Sequence, residues 1–315
     1  MSLFFEKIKN RESGIILYGL TPPKAHNPEE KILAISQKVA SRLEPLGVDG
    51  LVIYDIQDES SRNNDARPFP FAATIDPLLY ADNYLKDLKL PKIVYKSVGK
   101  SNTQELECWI KEVGTAYPVV FVGAPSKNEA VGIKLPEAYE VWNKMNPVGL
   151  LGGVAIPERH NSSRNEHTRI AGKIKNGCSF FISQCVYNSS YTKNVLSDLY
   201  YYCLENRLQM PTFIFTLTTC GSVKTLEFMN WLGIDIPVWL SNELHNSRDI
   251  LSRSADLCIE IAEDLTDFCL TKQIPFGVNI ESVSVRPEEI EASVYLLNKV
   301  KKVMEGAGVR GSLVQ

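Results

Sequence analysis

The stretch Gly172–Tyr187, which reads GKIKNGCSFFISQCVY, decides the fold class. A helix that carries Lys173 is predicted to end at Gly177, because glycine readily takes the left-handed conformation that closes helices. The apolar run that follows at once, Cys178–Ile182, is typical of a buried parallel strand and leads to the polar residue Gln184. In barrels built from such units, ligands bind at the carboxyl ends of the strands. The stretch therefore predicts an α/β architecture and the side of the fold that carries the function.

The same alternation recurs along the chain, where apolar, β-branched runs are each followed by a helical pattern. We predict eight strands, at Gly14–Leu20, Gly50–Ile56, Lys92–Ser97, Val119–Gly123, Gly149–Ala155, Ser179–Gln184, Thr212–Leu217 and Phe276–Asn279. Helices are predicted at 28–47, 76–89, 102–113, 135–145, 165–176, 191–207, 221–232 and from Pro287 onward.

An eight-fold count of strand and helix in 315 residues predicts a single-domain (β/α)8 TIM barrel over residues 1–315. The region at about 234–273 is an insertion with a long amphipathic helix near 248–273 and a short extra strand at Pro237–Leu240. The alternative is an open doubly wound sheet. That fold is disfavoured because no Gly-x-Gly-x-x-Gly motif follows a strand.

Composition narrows the class of protein. The chain is 44% hydrophobic and 23% charged with a net charge of -3, which is ordinary for a globular domain and gives no electrostatic reason to expect nucleic acid. The sequence has no run of eighteen apolar residues, so no membrane span is predicted. The N-terminus also lacks the apolar core of a secretory signal. We therefore expect a cytoplasmic protein, with a homo-oligomer or a partner subunit both left open.

Cysteines and histidines give no metal-site pattern. The seven cysteines are dispersed without a CxxC pair and are typical of reduced thiols, mostly in the core. His160 and His167 are seven positions apart with a predicted loop between them, and no pair of the four histidines has HxxxH spacing. We expect no metal.

Polar residues follow most of the predicted strands. This rim has many hydrogen-bonding groups but no obvious nucleophile–base pair, and it suits a flat heteroaromatic ligand. Lys96 would allow a Schiff base in a lyase or aldolase, and the 62–67 loop would allow an anionic tail, although charge-rich loops usually face solvent. The rim residues include Tyr18, Asp55, Asp58, Lys96, Ser126, Glu158, His160, Gln184, Thr216, Asn242, Asn279, Glu281 and Ser282.

Several segments, in order from about residue 14 to 300, resemble the methylenetetrahydrofolate reductase family. Gly153–His160, then Lys173, then Gly177–Gln184 is similar to its Tyr-Pro-Glu-x-His loop, Lys-x-x-x-Gly-Ala turn and strand ending in Thr-Gln. Further similar segments are Thr21-Pro22-Pro23, Ile236–Asn242 and Phe276–Asn279.

The resemblance implies a (β/α)8 barrel with FAD at its top and roles for particular residues. Cofactor binding is implied for His160 and Lys173, on the ribityl–phosphate side of the flavin, and we place Glu158 and Ser126 with them. Contacts to a folate or pterin substrate are implied for Gln184, Asn242 and Asn279.

The sequence departs from the family at its acidic positions. Gly19 stands where the family has the glutamate that donates a proton to folate, and Gly123-Ala124-Pro125-Ser126 carries no aspartate after the fourth strand. The catalytic residues are therefore unassigned. By strand-end position, the nearest candidates for a replacement acid are Tyr18, Asp55 and Asp58, although the two aspartates would equally suit a solvated loop.

Two functions follow from this reading. One is a divergent flavin-dependent oxidoreductase with a nicotinamide donor and a folate-like one-carbon substrate. The alternative is a non-redox folate- or pterin-binding barrel, or a methyl-transfer component, that has lost flavin chemistry.

Overall fold

The computed structural model describes residues 3–60, 65–124 and 131–311. Eight parallel strands form a closed barrel in chain order, and β8 returns to pair with β1. This confirms the predicted fold class. The strands are β1 (Ile15–Leu20), β2 (Gly50–Ile53), β3 (Lys92–Ser97), β4 (Val119–Val122), β5 (Leu151–Ala155), β6 (Phe180–Cys185), β7 (Thr212–Thr218) and β8 (Phe276–Glu281).

Helices cover the outside of the barrel and one helix precedes β1. They are α1 (Leu3–Asn10), α2 (Glu29–Leu43), α3 (Pro77–Leu79, continued by a π-helical turn at Tyr80–Tyr84), α4 (Thr103–Val113), α5 (Leu135–Met145), α6 (Glu158–Ser163), α7 (Glu166–Lys175), α8 (Ser189–Glu205), α9 (Val223–Trp231), α10 (Val238–Asn246), α11 (Ile250–Lys272) and α12 (Pro287–Gly306). None of these helices, within the described ranges, combines the length and apolar character needed to cross a membrane.

The predicted extra strand at Pro237–Leu240 is wrong, because this segment starts α10. Pro237 stands at the N-terminal cap, and its carbonyl accepts hydrogen bonds from the amides of Leu240 and Ser241. Proline has no amide hydrogen for a strand ladder, whereas its fixed φ suits the entry to a helix. The region therefore adds two helices, α10 and α11, between β7 and β8.

The wall of the barrel separates two apolar cores. The interior core contains alternate residues of the strands, such as Ile15 and Leu17 on β1, and α1 closes its lower end. There the Phe4 ring packs edge-on against Phe180, with 5.5 Å between ring centroids. The second core fills the space between strands and outer helices. Alternation puts odd-numbered residues of β1 inside, so Gly19 faces the interior near the carboxyl end of the strand.

Candidate functional site

A cavity of about 440 Å³ lies at the carboxyl ends of the strands. Tyr54 and Tyr95 form part of its lining, with ring centroids 4.9 Å apart in an edge-to-face arrangement. The remaining lining mixes apolar and polar groups, as is usual for sites that bind flat organic ligands. The apolar part includes Val122, Val154, Phe228, Trp231, Leu232 and Ile234.

Asn279 lies beneath this cavity and is not part of its lining. Its side chain is fully buried, and its Nδ2 donates a hydrogen bond to the Tyr54 hydroxyl over 2.8 Å. A second contact joins Nδ2 to Thr216 Oγ1 at 3.3 Å, while the buried Oδ1 has no partner in the part of the chain that the structure describes. Asn279, predicted as a substrate ligand, thus orients Tyr54, which does line the cavity.

Glu281, at the end of β8, supplies a carboxyl group to the cavity. Burial raises its pKa to about 7, and hydrogen bonding with Tyr54 acts in the opposite direction. Glu281 was expected at the rim but without a role, because the strand was predicted to end at Asn279. The spacing of two residues between Asn279 and Glu281 is the signal that places both on the inner face of β8.

Asp55 is a second cavity carboxyl, and the structure separates it from the other two candidate acids. Its Oδ2 accepts a hydrogen bond from the Ser97 amide at 2.6 Å, and burial raises its pKa. Tyr18 faces the outer helices, where its hydroxyl is 2.8 Å from Ser293 Oγ on α12. Asp58 is not in the cavity lining; its carboxylate binds Ser60, and this bonding lowers the Asp58 pKa.

Among the residues predicted to hold flavin, Lys173 is the one that the described structure brings to the cavity. Its Nζ donates to the Val154 carbonyl over 2.6 Å, and burial lowers its pKa. Glu158, whose pKa burial raises to about 7, does not line the cavity. Ser126 lies outside the described residues.

His160 also lies away from the cavity. It is 2% exposed, and its Nε2 is 3.0 Å from Asp198 Oδ2 on α8. A histidine held in this way does not reach a ligand in the cavity, so His160 and Lys173 do not form one phosphate-binding pair in this arrangement. The described residues therefore bring only one of these two predicted flavin-binding side chains to the cavity, and FAD stays a prediction.

The structure brings together His160, His167 and Asp198, which the sequence did not connect. Potential metal-binding atoms of the three residues lie within 4.8 Å of one another. The predicted loop is a short turn at Arg164, whose positive φ of 46° reverses the chain between α6 and α7. The Arg164 guanidinium approaches the same Asp198 oxygen at 3.4 Å. Because this oxygen already has a histidine and a cation as partners, the cluster is accounted for as a hydrogen-bonded ion pair.

Of the other two residues predicted to bind substrate, one lines the cavity and the other does not. Gln184 lines the cavity, and its Nε2 donates to the Leu232 carbonyl at 3.0 Å. Asn242 is exposed on α10 and is not part of the lining. Lys96, the candidate for a Schiff base, also lies outside the lining, with its Nζ 3.9 Å from Asp76.

Arg67 gives the cavity a cation held by aromatic rings. Its guanidinium carbon lies 5.5 Å from the ring centroid of Phe71, 5.1 Å from that of Phe228 and 5.4 Å from that of Trp231. Burial lowers the pKa of Arg67, and its buried Nε has no hydrogen-bond partner among the described residues. Such stacking positions a guanidinium while leaving its edge for an anion. Residues 62–64 of the predicted anionic-tail loop lie outside the described residues.

Comparisons with known proteins include a relative that matches almost the whole chain. No family model and no curated protein match the chain. An uncharacterized protein from Clostridium thermocellum, described as binding two copies of 5-methyl-5,6,7,8-tetrahydrofolic acid, is 52% identical. The match has a TM-score of 0.84 and covers 96% of this chain and 100% of that one.

Two dihydropteroate synthases are similar at a much lower level. The enzyme from Vibrio fischeri ES114 has 9% identity and a TM-score of 0.48, covering 96% of each chain. The enzyme from Xanthomonas albilineans has 10% identity and a TM-score of 0.46, covering 93% of this chain and 94% of that one. These two likenesses carry no functional inference. By its identity and coverage, the chain belongs to the family of the Clostridium thermocellum protein.

Proposed function

We propose that this protein binds a reduced folate of the 5-methyltetrahydrofolate class in the cavity at the top of the barrel. The observation that carries the proposal is the 52% identical relative, which is described as binding 5-methyl-5,6,7,8-tetrahydrofolic acid. Identity at this level over nearly the whole chain supports a shared ligand class.

The chemistry of the cavity supports the same ligand. A reduced pteridine has apolar faces and an edge of ring nitrogens, an amino group and a carbonyl. The cavity offers apolar walls together with the carboxyls of Asp55 and Glu281, the amide of Gln184 and the hydroxyl of Tyr54. Its volume, about 440 Å³, lies within the range of small-molecule sites.

Calorimetric titration with 5-methyltetrahydrofolate under reducing conditions tests the proposal and counts the sites. We expect saturable binding that Gln184→Ala weakens roughly tenfold, because it removes an amide from the cavity and its tie to Leu232. Gln37→Ala, on the exposed face of α2, is the matched control and should bind as the wild type does. Absence of saturable binding to the wild-type protein would refute the proposal.

The finer alternative is an FAD-dependent reductase acting on a folate-like one-carbon substrate with a nicotinamide donor. The resemblance to methylenetetrahydrofolate reductases supports it, as does a lysine at the cavity, Lys173. Two departures count against it: Gly19 stands where that family has its glutamate, and Gly123-Ala124-Pro125-Ser126 carries no aspartate after the fourth strand.

An absorbance spectrum of freshly purified protein, followed by titration with FAD and FMN, separates the two forms. A bound yellow chromophore and folate-dependent oxidation of a reduced nicotinamide would support the reductase. A protein that binds 5-methyltetrahydrofolate but takes up no flavin would be a non-redox folate-binding barrel or a methyl-transfer component.

A further inference from the structure

We propose that Glu281 is the acid of this site and donates a hydrogen bond to a nitrogen or oxygen acceptor on the edge of the bound pteridine ring. The inference rests on the proposed folate binding and adds to it the residue that recognises the ring. Glu281 on β8 would then provide the acidic group that is absent from β1, where Gly19 has no side chain.

The strand register places the carboxyl of Glu281 inside the barrel next to Gly19. β1 and β8 pair in parallel, and Gly19 is the partner of Glu281 in that ladder. Paired residues in adjacent strands point to the same side of a sheet, so the carboxyl of Glu281 enters the interior beside the empty position at Gly19. A carboxyl group on β8 thus occupies the same layer of the barrel as a side chain on β1 would.

The space around Gly19 also supports this role for Glu281. A Cβ atom at this position would lie 3.0 Å from both Cε2 and the hydroxyl of Tyr54, and 3.1 Å from Nδ2 of Asn279. These contacts are tight, so a side chain at position 19 would require Tyr54 and Asn279 to shift slightly. Tyr54 is fixed by Asn279 and by packing against Tyr95, and its hydroxyl bonds with Glu281. The observed position of Tyr54 therefore suits glycine at position 19 and an acid at position 281.

The surroundings of Glu281 favour its protonated form below about pH 7. The titratable groups that interact with it are Tyr18 on β1, Tyr54 after β2, Tyr95 on β3 and Cys185 on β6. All four have raised pKa values and are neutral near pH 7, so they supply no cation that would hold Glu281 ionised. Burial raises the Glu281 pKa to about 7. A protonated carboxyl can donate a hydrogen bond, whereas a carboxylate only accepts.

The cavity has other charges, which must be separated from Glu281 in any test. Among the described residues, the lining contains the cations Arg67, Arg159 and Lys173 and the further acids Asp55 and Glu59. Asp55 has a raised pKa as well, so it is the competing explanation for pH-dependent binding.

The test measures the affinity for 5-methyltetrahydrofolate from about pH 5.5 to about pH 8.5 in the wild type, Glu281→Gln, Glu281→Ala and Asp55→Asn. Wild-type affinity should fall as pH rises through about 7, approaching a tenfold loss for each further pH unit. Glu281→Gln keeps a donor that does not titrate, so its affinity should be flat over this range. Glu281→Ala should bind roughly tenfold more weakly at the acidic end and also be flat. Asp55→Asn should keep the wild-type decline.

The outcomes distinguish this inference from the proposed function. Any titration of the ligand itself is common to all four proteins and cancels in the ratio of their affinities. If the wild type binds but Glu281→Gln retains its pH dependence, or Glu281→Ala binds as tightly as the wild type, the role of Glu281 is refuted while folate binding stands. If the wild type binds no 5-methyltetrahydrofolate, the proposed function itself fails. Circular dichroism and thermal melting of each variant exclude misfolding as the cause of a loss.

Discussion

Asn279 donates a hydrogen bond to the hydroxyl of Tyr54 over 2.8 Å, although the two residues are 225 positions apart in the chain. The bond joins the inner face of β8 to the residue that follows β2. The strand β1 lies between them, and its inward-facing residue at this level is Gly19. It holds the Tyr54 hydroxyl at the carboxyl of Glu281. The geometry of the cavity acid therefore depends on an amide that does not touch the cavity.

Tyr54→Phe should move the pH dependence of ligand binding upward. The hydrogen bond with Tyr54 lowers the Glu281 pKa, whereas burial raises it. Because the variant removes this hydrogen bond, the Glu281 pKa should rise above about 7. The midpoint of the fall in 5-methyltetrahydrofolate affinity should shift to higher pH by the same amount. The variant also leaves a buried Asn279 donor without this partner, which should cost about 1–3 kcal/mol of stability. An unchanged or lower midpoint in calorimetric titrations would contradict this account.

Glu281→Gln should stabilise the unliganded protein at high pH and not at low pH. The folded-state pKa, about 7, lies above the ordinary value of 4.5, so wild-type stability is lost relative to the variant as pH rises from about 4.5 to about 7. Above that range the difference should be constant, at most about 3 kcal/mol. Urea denaturation at about pH 5 and about pH 8 measures it. Equal stability differences at the two pH values would show that Glu281 does not titrate as described.

Glu158→Gln should change the stability of the protein over the same pH range as Glu281→Gln. It should not change the pH dependence of ligand affinity. Burial also raises the Glu158 pKa to about 7, and no described residue is a hydrogen-bond partner of its buried Oε2. Its carboxyl, however, does not line the cavity. Urea denaturation of the two glutamine variants, compared with their binding curves, therefore separates a buried carboxyl from a ligand-facing one. A midpoint of ligand affinity that moves in Glu158→Gln would contradict this assignment.

The barrel could be predicted from the sequence because strand–helix alternation is a local pattern, and the position of the cavity followed from the fold. The orientation of individual residues could not. Tyr18 and Gly19 are neighbours, but the strand places one among the outer helices and the other inside the barrel. His160 was expected at the ligand, yet its partner is Asp198 on α8, a contact that depends on how two helices pack. Glu281 lies two residues beyond the predicted end of its strand, so its inward direction could not be read before the register was known.

Arg67→Ala should weaken binding of ligands that have a glutamate tail and spare those that lack one. Its guanidinium is stacked among Phe71, Phe228 and Trp231 at the cavity, with a buried Nε that no group in the described structure accepts from. A carboxylate of the tail would provide that acceptor. We expect a loss of roughly tenfold for 5-methyltetrahydrofolate and little change for 5-methyltetrahydropterin. Arg67→Lys should not restore affinity, because lysine lacks the planar fork and its stacking. Equal losses for both ligands would contradict a role in tail binding.

Asp49→Ala should destabilise the lower end of the barrel. Asp49 is 3% exposed and accepts hydrogen bonds from Lys7 on α1 at 2.8 Å, from Arg310 near the C-terminus at 2.6 Å and from the Ile16 amide at 2.8 Å. Removing the shared carboxylate leaves two cations and a backbone donor without it. Breaking a buried ion pair in this way costs about 3–5 kcal/mol.

Urea denaturation measures that loss, with Asp87→Ala, an exposed aspartate, as the matched control expected to stay within about 0.5 kcal/mol of the wild type. Hydrogen exchange adds a local readout, because α1 is joined to the barrel by Lys7 and by the packing of Phe4 on Phe180. Faster exchange in α1 is expected when the ion pair is lost. If Asp49→Ala unfolds at the wild-type urea concentration with α1 still protected, the apolar contact of Phe4 is sufficient to close the barrel, and the ion-pair cluster adds no stability there.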